Sequence, residues 1–433
     1  MMLHFCSEYR VEHLFIFGNM KSTDLDKKRW GVLIASSLIN LCIGSIYAWS
    51  VFAGPLAAKL TSLLGTTFTA ADLAIVFTVA NSIGPVTMIA GGFVTDRLGG
   101  PRAVILTGGI MFGAGILLTG FAGTLGQIIL TYSLLAGFGL GMAYGCTINN
   151  TVKFFPDKRG LVGGIATATY GLSSVLIPPV ANALNNSVGV SKSFIILGIA
   201  FLVIIVVCSF FIVKCPADYV PKGFVPKVAG PAGNASGKDK NWKQMLADPV
   251  FYIMIVMLVC GAFSGLMITS QASPMAQKIT GMSVGMAATA VSVLALFNSA
   301  GRIVAGTLSD RFGRVTVLRG AFILEIIGLG LLFLTGEGST ILFMAAVSII
   351  GVCFGALMGV YPGFTADQFG PRNNSVNYGI MFIGFAVAGY FGPTVCGKIL
   401  GATGTYGTAF IVSAAIAIVG IVLTMVYKKA VTK

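Results

Sequence analysis

The sequence predicts an all-α membrane protein with twelve transmembrane helices in two pseudo-symmetric six-helix halves. Of the 433 residues, 56% are hydrophobic and only 10% are charged, whereas a soluble chain carries about 25% charged residues. Twelve apolar runs are long enough to cross a hydrocarbon layer about 30 Å thick. Because backbone groups in lipid must find hydrogen-bond partners within their own segment, each run predicts a helix. An internal repeat divides the twelve runs into two sets of six.

The runs and their connections give the domain boundaries. The runs lie near Trp30–Phe52, Ala71–Val94, Ala103–Gly123, Gln127–Ile148, Leu161–Asn182, Ser193–Val213, Pro249–Ser270, Ser283–Gly306, Thr316–Leu334, Thr340–Tyr361, Asn377–Leu400 and Tyr406–Tyr427. We therefore divide the chain into an N-terminal segment, a first half, a linker, a second half and a tail, at residues 1–29, 30–213, 214–248, 249–427 and 428–433.

Two polar segments outside the runs need an interpretation. Residues 214–248 are rich in Pro, Gly and Lys and contain GPAGNASGKDKN, which is typical of a flexible linker, here with a short surface helix. Residues 1–19 have no signal-peptide layout, and they hold both histidines, His4 and His13. Since Met20 begins a polar lead into the first run, we infer that Met20 is the native start and that residues 1–19 are disordered or spurious.

The two halves repeat at an offset of 214 residues. Asp96-Arg97 in GGFVTDRLGG corresponds to Asp310-Arg311 in GTLSDRFGR. Parallel six-helix repeats imply a pseudo-two-fold axis along the membrane normal and a binding site between the halves near the midplane. The same offset relates three further pairs: Gly141 and Gly355, Phe155 and Phe369, Pro179 and Pro393.

The basic residues predict the orientation of the chain and its partners. Of the 28 lysines and arginines, 23 lie on one predicted side of the membrane, four on the other (Lys59, Lys192, Lys278 and Lys398), and Arg302 within a run. The positive-inside rule then places both termini in the cytoplasm and the chain in the cell membrane. The formal charge is +14, but the basic residues are scattered over short loops, so we expect no nucleic-acid partner. We expect a monomer in a lipid bilayer.

The motifs of enzymes are absent from the sequence. Its eight cysteines form no CxxC or Cys/His cluster, so we expect neither a metal nor a cofactor. The Gly-rich stretches GGIMFGAGI and GFGLGMAYG lack the Lys-Ser ending of a phosphate loop and indicate close helix packing. No paired carboxylates and no Ser/His/Asp set occur in the runs. An enzyme is therefore not expected, and one deep charge does not supply the continuous polar path of a channel.

Arg302 is the principal candidate for a binding site. Arginine in hydrocarbon costs at least about 2.5–3.5 kcal/mol, so an intramembrane arginine is a functional hypothesis by default. Arg302 lies eight residues before Asp310, which places it about 12 Å from the helix end. Its planar fork matches a carboxylate, and Asn298, one turn earlier, is placed to hold the guanidinium. The alternative is a structural ion pair with Glu325 on the ninth helix.

Other candidate binding residues lie at a similar depth. Tyr144 lies nine residues before Lys153, or about 13 Å from the helix end, and Phe385 lies comparably deep in the eleventh helix, where it offers an apolar wall. We add Tyr47, Trp49 and Tyr361 as sources of hydroxyls and an aromatic lid. Each tyrosine has the alternative role of packing or of an interfacial belt.

The charged turns that follow the second and eighth helices predict a gate. Charge pairs at these helix ends hold one side of a carrier shut and separate when it opens. The candidates for this gate are Asp96, Arg97, Asp310, Arg311 and Arg314, and the alternative is that they are solvated loop charges.

The chain resembles the major facilitator superfamily over about residues 28–430. The turns at Gly92 to Gly99 and Gly306 to Arg314 are similar to its signature loop. SIYAWSVF, GMAYG, NSAGRIVAGTLSD and NYGIMFIGFAVAG resemble the oxalate/formate antiporter family, which is related to the monocarboxylate transporters. The resemblance implies that Arg302 holds a substrate carboxylate, and it supports Tyr47, Tyr144 and Tyr361 as site residues.

One departure from that family bears on the substrate. Oxalate transporters of the family carry a lysine in the eleventh helix, at the position that corresponds to Phe385. The resemblance therefore implies a transporter of small monocarboxylates of the pyruvate, lactate or formate type by alternating access. The alternative is an oxalate/formate antiporter that exchanges a dicarboxylate for a monocarboxylate. Proton symport and anion exchange both stay open.

Overall fold

The computed structural model describes residues 22–70, 72–96, 100–216, 219–224 and 239–432, with the backbone alone for residues 22–24 and 432. The inference about Met20, the histidines His4 and His13, and the predicted gate residue Arg97 lie outside the described residues.

The twelve predicted membrane helices are confirmed, and the described part of the chain contains no strand. Several helices are longer than the hydrophobic runs, because a helix continues into polar sequence beyond the hydrocarbon. In chain order, α1 to α12 are Leu25–Leu64, Ala74–Val94, Pro101–Thr119, Leu125–Phe154, Arg159–Val188, Val190–Ser209, Pro249–Thr280, Val284–Phe312, Arg314–Phe333, Thr340–Phe369, Asn374–Thr403 and Gly407–Val431.

Helices α1 and α11 are irregular where they approach the site between the halves. In α1 the segment Gly44–Ala48 is a 3₁₀ helix, and a Cβ at Gly44 would lie 2.3 Å from the carbonyl oxygen of Tyr170. Glycine is therefore required for this contact between α1 and α5. In α11 the helix is interrupted at Phe382, between Asn374–Met381 and Ile383–Thr403. Irregular backbone at this depth is typical of helices that line a functional site.

Glycines let α8 lie directly against helices of both halves. A Cβ at Gly164 of α5 would lie 2.3 Å from the carbonyl oxygen of Arg302, and a Cβ at Gly359 of α10 would lie 2.2 Å from the same atom. Close packing also explains the two Gly-rich stretches, since a Cβ at Gly139 would lie 2.2 Å from the Gly108 carbonyl oxygen. The interpretation of these stretches as packing faces is confirmed.

The linker is attached to the helices at both of its ends. The Lys222 N–H donates to Asp26 Oδ2 (3.1 Å), and the Lys240 N–H donates to the Phe369 carbonyl (2.9 Å). The predicted short helix is present as Trp242–Leu246, with Asn241 as its N-cap. We call the membrane face that carries the linker, Asp96 and Asp310 the linker end.

The two halves are closed against each other at the linker end. In the part of the chain that the structure describes, the hydrogen bonds and ion pairs between the halves lie between this end and the depth of Arg302. They join α5 to α8 and α10, and α2 and α4 to α11 and the turn before it. The structure is therefore the state in which the linker end is shut.

Candidate functional site

Arg302 is buried between the halves and is held by both of them. Its side chain lies on α8 and the residue is only 6% exposed. Nε donates to Asn298 Oδ1 on the same helix (2.9 Å), at the position that the one-turn spacing predicts. Nη1 donates to the carbonyl oxygen of Thr167 on α5 (2.6 Å). The guanidinium is therefore fixed by its own helix and by a backbone atom of the opposite half.

Gly171 makes room for the guanidinium on α5. A Cβ at this position would lie 3.3 Å from Arg302 Cζ and 3.0 Å from Ser299 Oγ. The Ser299 hydroxyl is itself buried and has no hydrogen-bond partner within the described residues. Since buried polar groups are normally paired, this hydroxyl beside the guanidinium is a candidate for binding a polar ligand atom.

The alternative of an ion pair between Arg302 and Glu325 is wrong. Glu325 lies on α9 and accepts a hydrogen bond from Ser264 of α7. Among the described residues, no carboxylate forms an ion pair with Arg302. Within the described residues, the Arg302 guanidinium is therefore held by neutral oxygen acceptors and not by a carboxylate.

Three tyrosines surround the guanidinium on the side of the first half. The ring centroids of Tyr144 and Tyr170 are 4.5 Å apart, and those of Tyr47 and Tyr170 are 5.4 Å apart. The charge of Arg302 interacts with all three hydroxyls, most closely with that of Tyr144. The structure thus brings the sequence-predicted residues Tyr47 and Tyr144 together with Arg302 and adds Tyr170 between them.

Phe385 belongs to an aromatic row that begins at Tyr144. Phe382, at the interruption of α11, lies 6.1 Å from Tyr144 and stacks on Phe385 at 4.7 Å, centroid to centroid. Phe385 in turn stacks on Phe354 of α10 at 6.2 Å. Phe385 is therefore one ring removed from Tyr144, and Phe382 supplies the nearer apolar wall.

Trp49 and Tyr361 are not brought to Arg302. Trp49 packs against Tyr132 of α4 with ring centroids 4.6 Å apart. The Tyr361 hydroxyl donates to the Met254 carbonyl oxygen of α7 (2.8 Å). Tyr361 is two residues from Gly359, which faces Arg302, and two residues turn the helix by about 200°. The expectation that these two side chains line the same site does not agree with their geometry.

Sequence reasoning missed Thr167, Tyr170, Phe382 and Ser299. A signal for α5 was available, because Gly160, Gly164, Thr167 and Gly171 recur at helical spacing and mark the face that packs on α8. Tyr170 is adjacent to that face. Phe382 had no comparable signal, since its position depends on the interruption of α11.

Asp310 connects α8 to the first turn of α5 at the linker end. Its Oδ1 and Oδ2 accept hydrogen bonds from the N–H groups of Gly160 and Leu161, both at 2.8 Å. Oδ1 also forms an ion pair with Arg314 (2.7 Å). A carboxylate at a helix N-terminus satisfies unpaired N–H groups and interacts favourably with the helix dipole.

A second carboxylate extends this contact. Asp367 of α10 accepts from Arg314 Nε at 2.9 Å and forms an ion pair with Arg159 of α5 at 2.6 Å. Arg159 and Asp310 therefore join the first half to the second by three bonds, one from Arg159 and two to Asp310. We call Asp310, Arg314, Asp367 and Arg159 the α5–α8 gate.

The pseudo-symmetric contact lies at Asp96. Its Oδ1 pairs with Lys153 of α4 (3.2 Å), and its Oδ2 accepts from the Val376 N–H in the first turn of α11 (3.4 Å). Lys153 also donates to the Arg372 carbonyl (3.0 Å). Deeper in the same interface, Asn374 Nδ2 donates to Asn149 Oδ1 (2.5 Å). We call Asp96, Lys153 and the start of α11 the α2–α11 gate.

Arg311 takes no part in either gate. Its side chain is exposed, and its guanidinium lies 5.5 Å from the ring centroid of the adjacent Phe312. Asp96, Asp310 and Arg314 occupy the positions that a gate requires, whereas the expectation for Arg311 does not agree with the structure. Lys153, Arg159 and Asp367 are partners that the sequence did not reveal.

Twelve membrane helices in two repeated halves, with a buried guanidinium between them and charged contacts at one end, define the architecture of a membrane carrier. The chain belongs to the Major Facilitator Superfamily, whose family model matches residues 38–302 and 263–432. The confirmed fold and the family agree with the resemblance seen in the sequence.

Three individual relatives show which transporters of the superfamily the chain is similar to. The chain is 29% identical over 369 residues to the uncharacterized MFS-type transporter YhjX of Escherichia coli (strain K12), covering 85% of this chain and 87% of the relative. It is 27% identical over 395 residues to the oxalate:formate antiporter of Oxalobacter formigenes, covering 91% and 90%. Monocarboxylate transporter 12 of Xenopus laevis is 25% identical over 347 residues, covering 75% and 73%.

A solved structure shows the same fold. The transporter FucP, in its outward conformation, superposes with a TM-score of 0.68 at 15% identity and covers 92% of this chain and 99% of its own.

Proposed function

We propose that this protein is a secondary transporter of small organic monocarboxylates, of the pyruvate, lactate or formate type, that works by alternating access. The observation that carries the proposal is the Arg302 guanidinium, buried at mid-depth between the halves with no carboxylate partner among the described residues. The relatives named as an oxalate:formate antiporter and a monocarboxylate transporter support an organic anion as substrate.

Arg302 binds the substrate carboxylate, with hydroxyls beside it. Asn298 holds Nε, so a carboxylate in a bidentate pair would use Nη2 together with Nη1, which now donates to the Thr167 carbonyl. Tyr144 and the unpaired hydroxyl of Ser299 are placed to donate to the same anion, while the hydroxyls of Tyr170 and Tyr47 are hydrogen-bonded to each other beside them. A charge-assisted site of this kind is strong because water is largely excluded from it.

The bond from Arg302 to Thr167 couples substrate binding to movement of the halves. Nη1 is one of the atoms that a bidentate carboxylate uses, and in this state it donates to the backbone of α5. A bound carboxylate competes with the Thr167 carbonyl for that proton. Binding therefore weakens a contact between α5 and α8 at the depth of the substrate and favours separation at the linker end.

A single cation favours a single negative charge. Arg302 is the guanidinium of the site, and the aromatic row of Phe382 and Phe385 occupies the side of α11. A dicarboxylate would leave one charge unpaired in a low-dielectric setting, at a cost of several kcal/mol, or about a thousandfold in affinity. A second candidate is oxalate/formate exchange, which is favoured by the 27% identity to the oxalate:formate antiporter.

The distribution of basic residues supports a cell-membrane location with both termini, and hence the linker end, in the cytoplasm. In that orientation the described state is closed toward the cytoplasm. We propose that the protein works as a monomer, since each chain has its own two halves and its own site.

Counterflow in proteoliposomes tests the proposal. Purified protein is reconstituted in vesicles loaded with unlabelled pyruvate, and entry of labelled pyruvate is measured with lactate, formate, oxalate or malonate as competitors. We expect the monocarboxylates to compete and oxalate to be nearly inert. Competition by oxalate as strong as competition by lactate would overturn the monocarboxylate assignment in favour of the antiporter. The assay is repeated with each of the other carboxylates as the loaded and labelled substrate, and the absence of counterflow for all of them would overturn the organic-anion proposal.

A further inference from the structure

Glu325 is a buried acid that the proposed site does not use. It lies on α9 and is 1% exposed. The Ser264 hydroxyl of α7 donates to Oε1, while Oε2 is buried and has no hydrogen-bond partner within the described residues. Glu325 lies 11 residues after Arg314 at the start of the helix, about 16 Å from the linker end, so it is deep in the membrane.

Among the residues that the structure describes, no cation interacts with this carboxyl group. The titratable groups that interact with it are the thiols of Cys260 on α7 and Cys353 on α10. From α8 and α12, no charged or titratable side chain of the described residues interacts with it. On its own helix, Arg319 is about 9 Å nearer the linker end and donates to Thr424 of α12 (2.9 Å).

The neutral acid fits these surroundings better than the carboxylate does. An ionised carboxylate with an unpaired oxygen is strongly disfavoured away from water, whereas the acid carries no charge and keeps its bond to Ser264. Ionisable residues inside a membrane protein that lack a structural partner are typical of proton pathways. The geometry therefore matches a group that holds a proton in the state closed at the linker end.

A series of contacts connects Glu325 to the aromatic row that lies near Arg302. Ser264 precedes Gly265, and a Cβ at Gly265 would lie 2.4 Å from Cγ of Phe354. The Phe354 ring stacks on Phe385, which belongs to the aromatic row near Arg302. A movement of α10 or α11 that accompanies substrate binding therefore reaches the helix that holds the only donor to Glu325 among the described residues.

We infer that Glu325 is a proton-binding site and that one proton moves with each substrate anion. Glu325 takes its proton from water on one side of the membrane and releases it to water on the other when α7 and α10 rearrange. The cycle moves one anion and one proton in the same direction and is electroneutral. This inference rests on the proposed function, because the proton is coupled to the monocarboxylate that Arg302 binds.

The test uses Glu325→Gln, which keeps the shape and an acceptor for Ser264 but cannot release a proton. Counterflow needs no net proton movement, so we expect it within about twofold of wild type, whereas uptake driven by a pH gradient should fall at least ~10-fold. Cys353→Ala, which removes a facing thiol, should keep gradient-driven uptake. Gradient-driven uptake by Glu325→Gln at the wild-type rate would overturn the inference, as would wild-type uptake that ignores the gradient.

An infrared titration separates this inference from the proposed function. The difference spectrum of wild type minus Glu325→Gln should contain the C=O stretch of a protonated carboxyl, and the band should decrease as the pH rises. If the band is absent, or constant over the whole pH series, Glu325 is not a proton-exchanging site, whatever substrate is carried. If wild type shows no carboxylate counterflow while the band titrates, the proposed function fails and the proton site stands.

Discussion

Replacing Asp310 by Asn should open the linker end. Asp310 accepts two backbone hydrogen bonds from the first turn of α5 and pairs with Arg314. Asn has one acceptor oxygen, so one of the two bonds to the N–H groups is lost. It also has no charge, so the ion pair and the favourable interaction with the helix N-terminus are lost as well.

The size of the effect follows from these three contributions. A hydrogen bond to a charged group contributes about 1.5–3 kcal/mol, a partly exposed ion pair about 0.2–1 kcal/mol, and a charge at a helix terminus about 0.3–1 kcal/mol. Their loss destabilises the closed state by roughly 2–4 kcal/mol, because the contributions overlap. The ratio of open to closed molecules should rise by about 30- to 1,000-fold.

Cysteine labelling measures this shift. Thr167 is fully buried on α5, behind the contact with α8, so a Thr167→Cys reporter should react with a membrane-impermeant maleimide only when the linker end opens. The parent protein without the reporter corrects for the native cysteines. Asp72→Asn is the matched control, since Asp72 bonds only to Thr69 among the described residues and lies in a loop outside both gates. An unchanged labelling rate in Asp310→Asn would refute the gate.

Three further predictions concern the site and its support. Arg302→Lys keeps the charge but loses the planar fork, so counterflow should fall at least ~100-fold in a protein that still elutes as a folded species, and wild-type rates would remove Arg302 from the mechanism. Phe385→Lys should reduce pyruvate transport and let oxalate compete, and a competition profile identical to wild type would contradict the role of the aromatic wall. Gly164→Val should drive α5 away from α8, because a Cβ there meets the Arg302 carbonyl at 2.3 Å. Its melting temperature and transport should both fall, whereas Gly330→Val, where nothing lies within 4 Å, should leave both unchanged.

The sequence correctly predicted those features that depend only on a residue's position along its helix. Hydrophobic runs predicted the twelve helices, and the spacing of residues 298 and 302 placed Asn298 beneath the guanidinium, where it is found. Depth alone does not determine which way a side chain points. Tyr361 lies at a suitable depth but bonds to α7, because its direction depends on how α10 is rotated by glycines that pack on α8.

The features that the sequence did not predict are mainly contacts between residues far apart in the chain. The Asp-Arg turns marked the two gates, but their acceptor sites are the first turns of α5 and α11, about 150 and 280 residues away in sequence. Backbone N–H groups carry no sequence signature, so no inspection of side chains could have identified them. Arg311 is the opposite case: it belongs to the Asp-Arg motif, but its charge lies away from the gate.

The two gates are unequal, and this inequality predicts which side of the linker end opens first. The α5–α8 gate contains two arginines and two carboxylates, and three of its bonds cross between the halves at 2.6–2.8 Å. The α2–α11 gate has one lysine and one carboxylate, and its two bonds between the halves are longer, at 3.0 and 3.4 Å. The position that corresponds to Arg314 in the first half is Gly100, so the repeat has kept the carboxylate but not its arginine. The contact between α2 and α11 should separate first, while the contact between α5 and α8 remains and acts as the hinge. A carrier built from two repeated halves would then admit its substrate from one flank of the pore rather than along its axis.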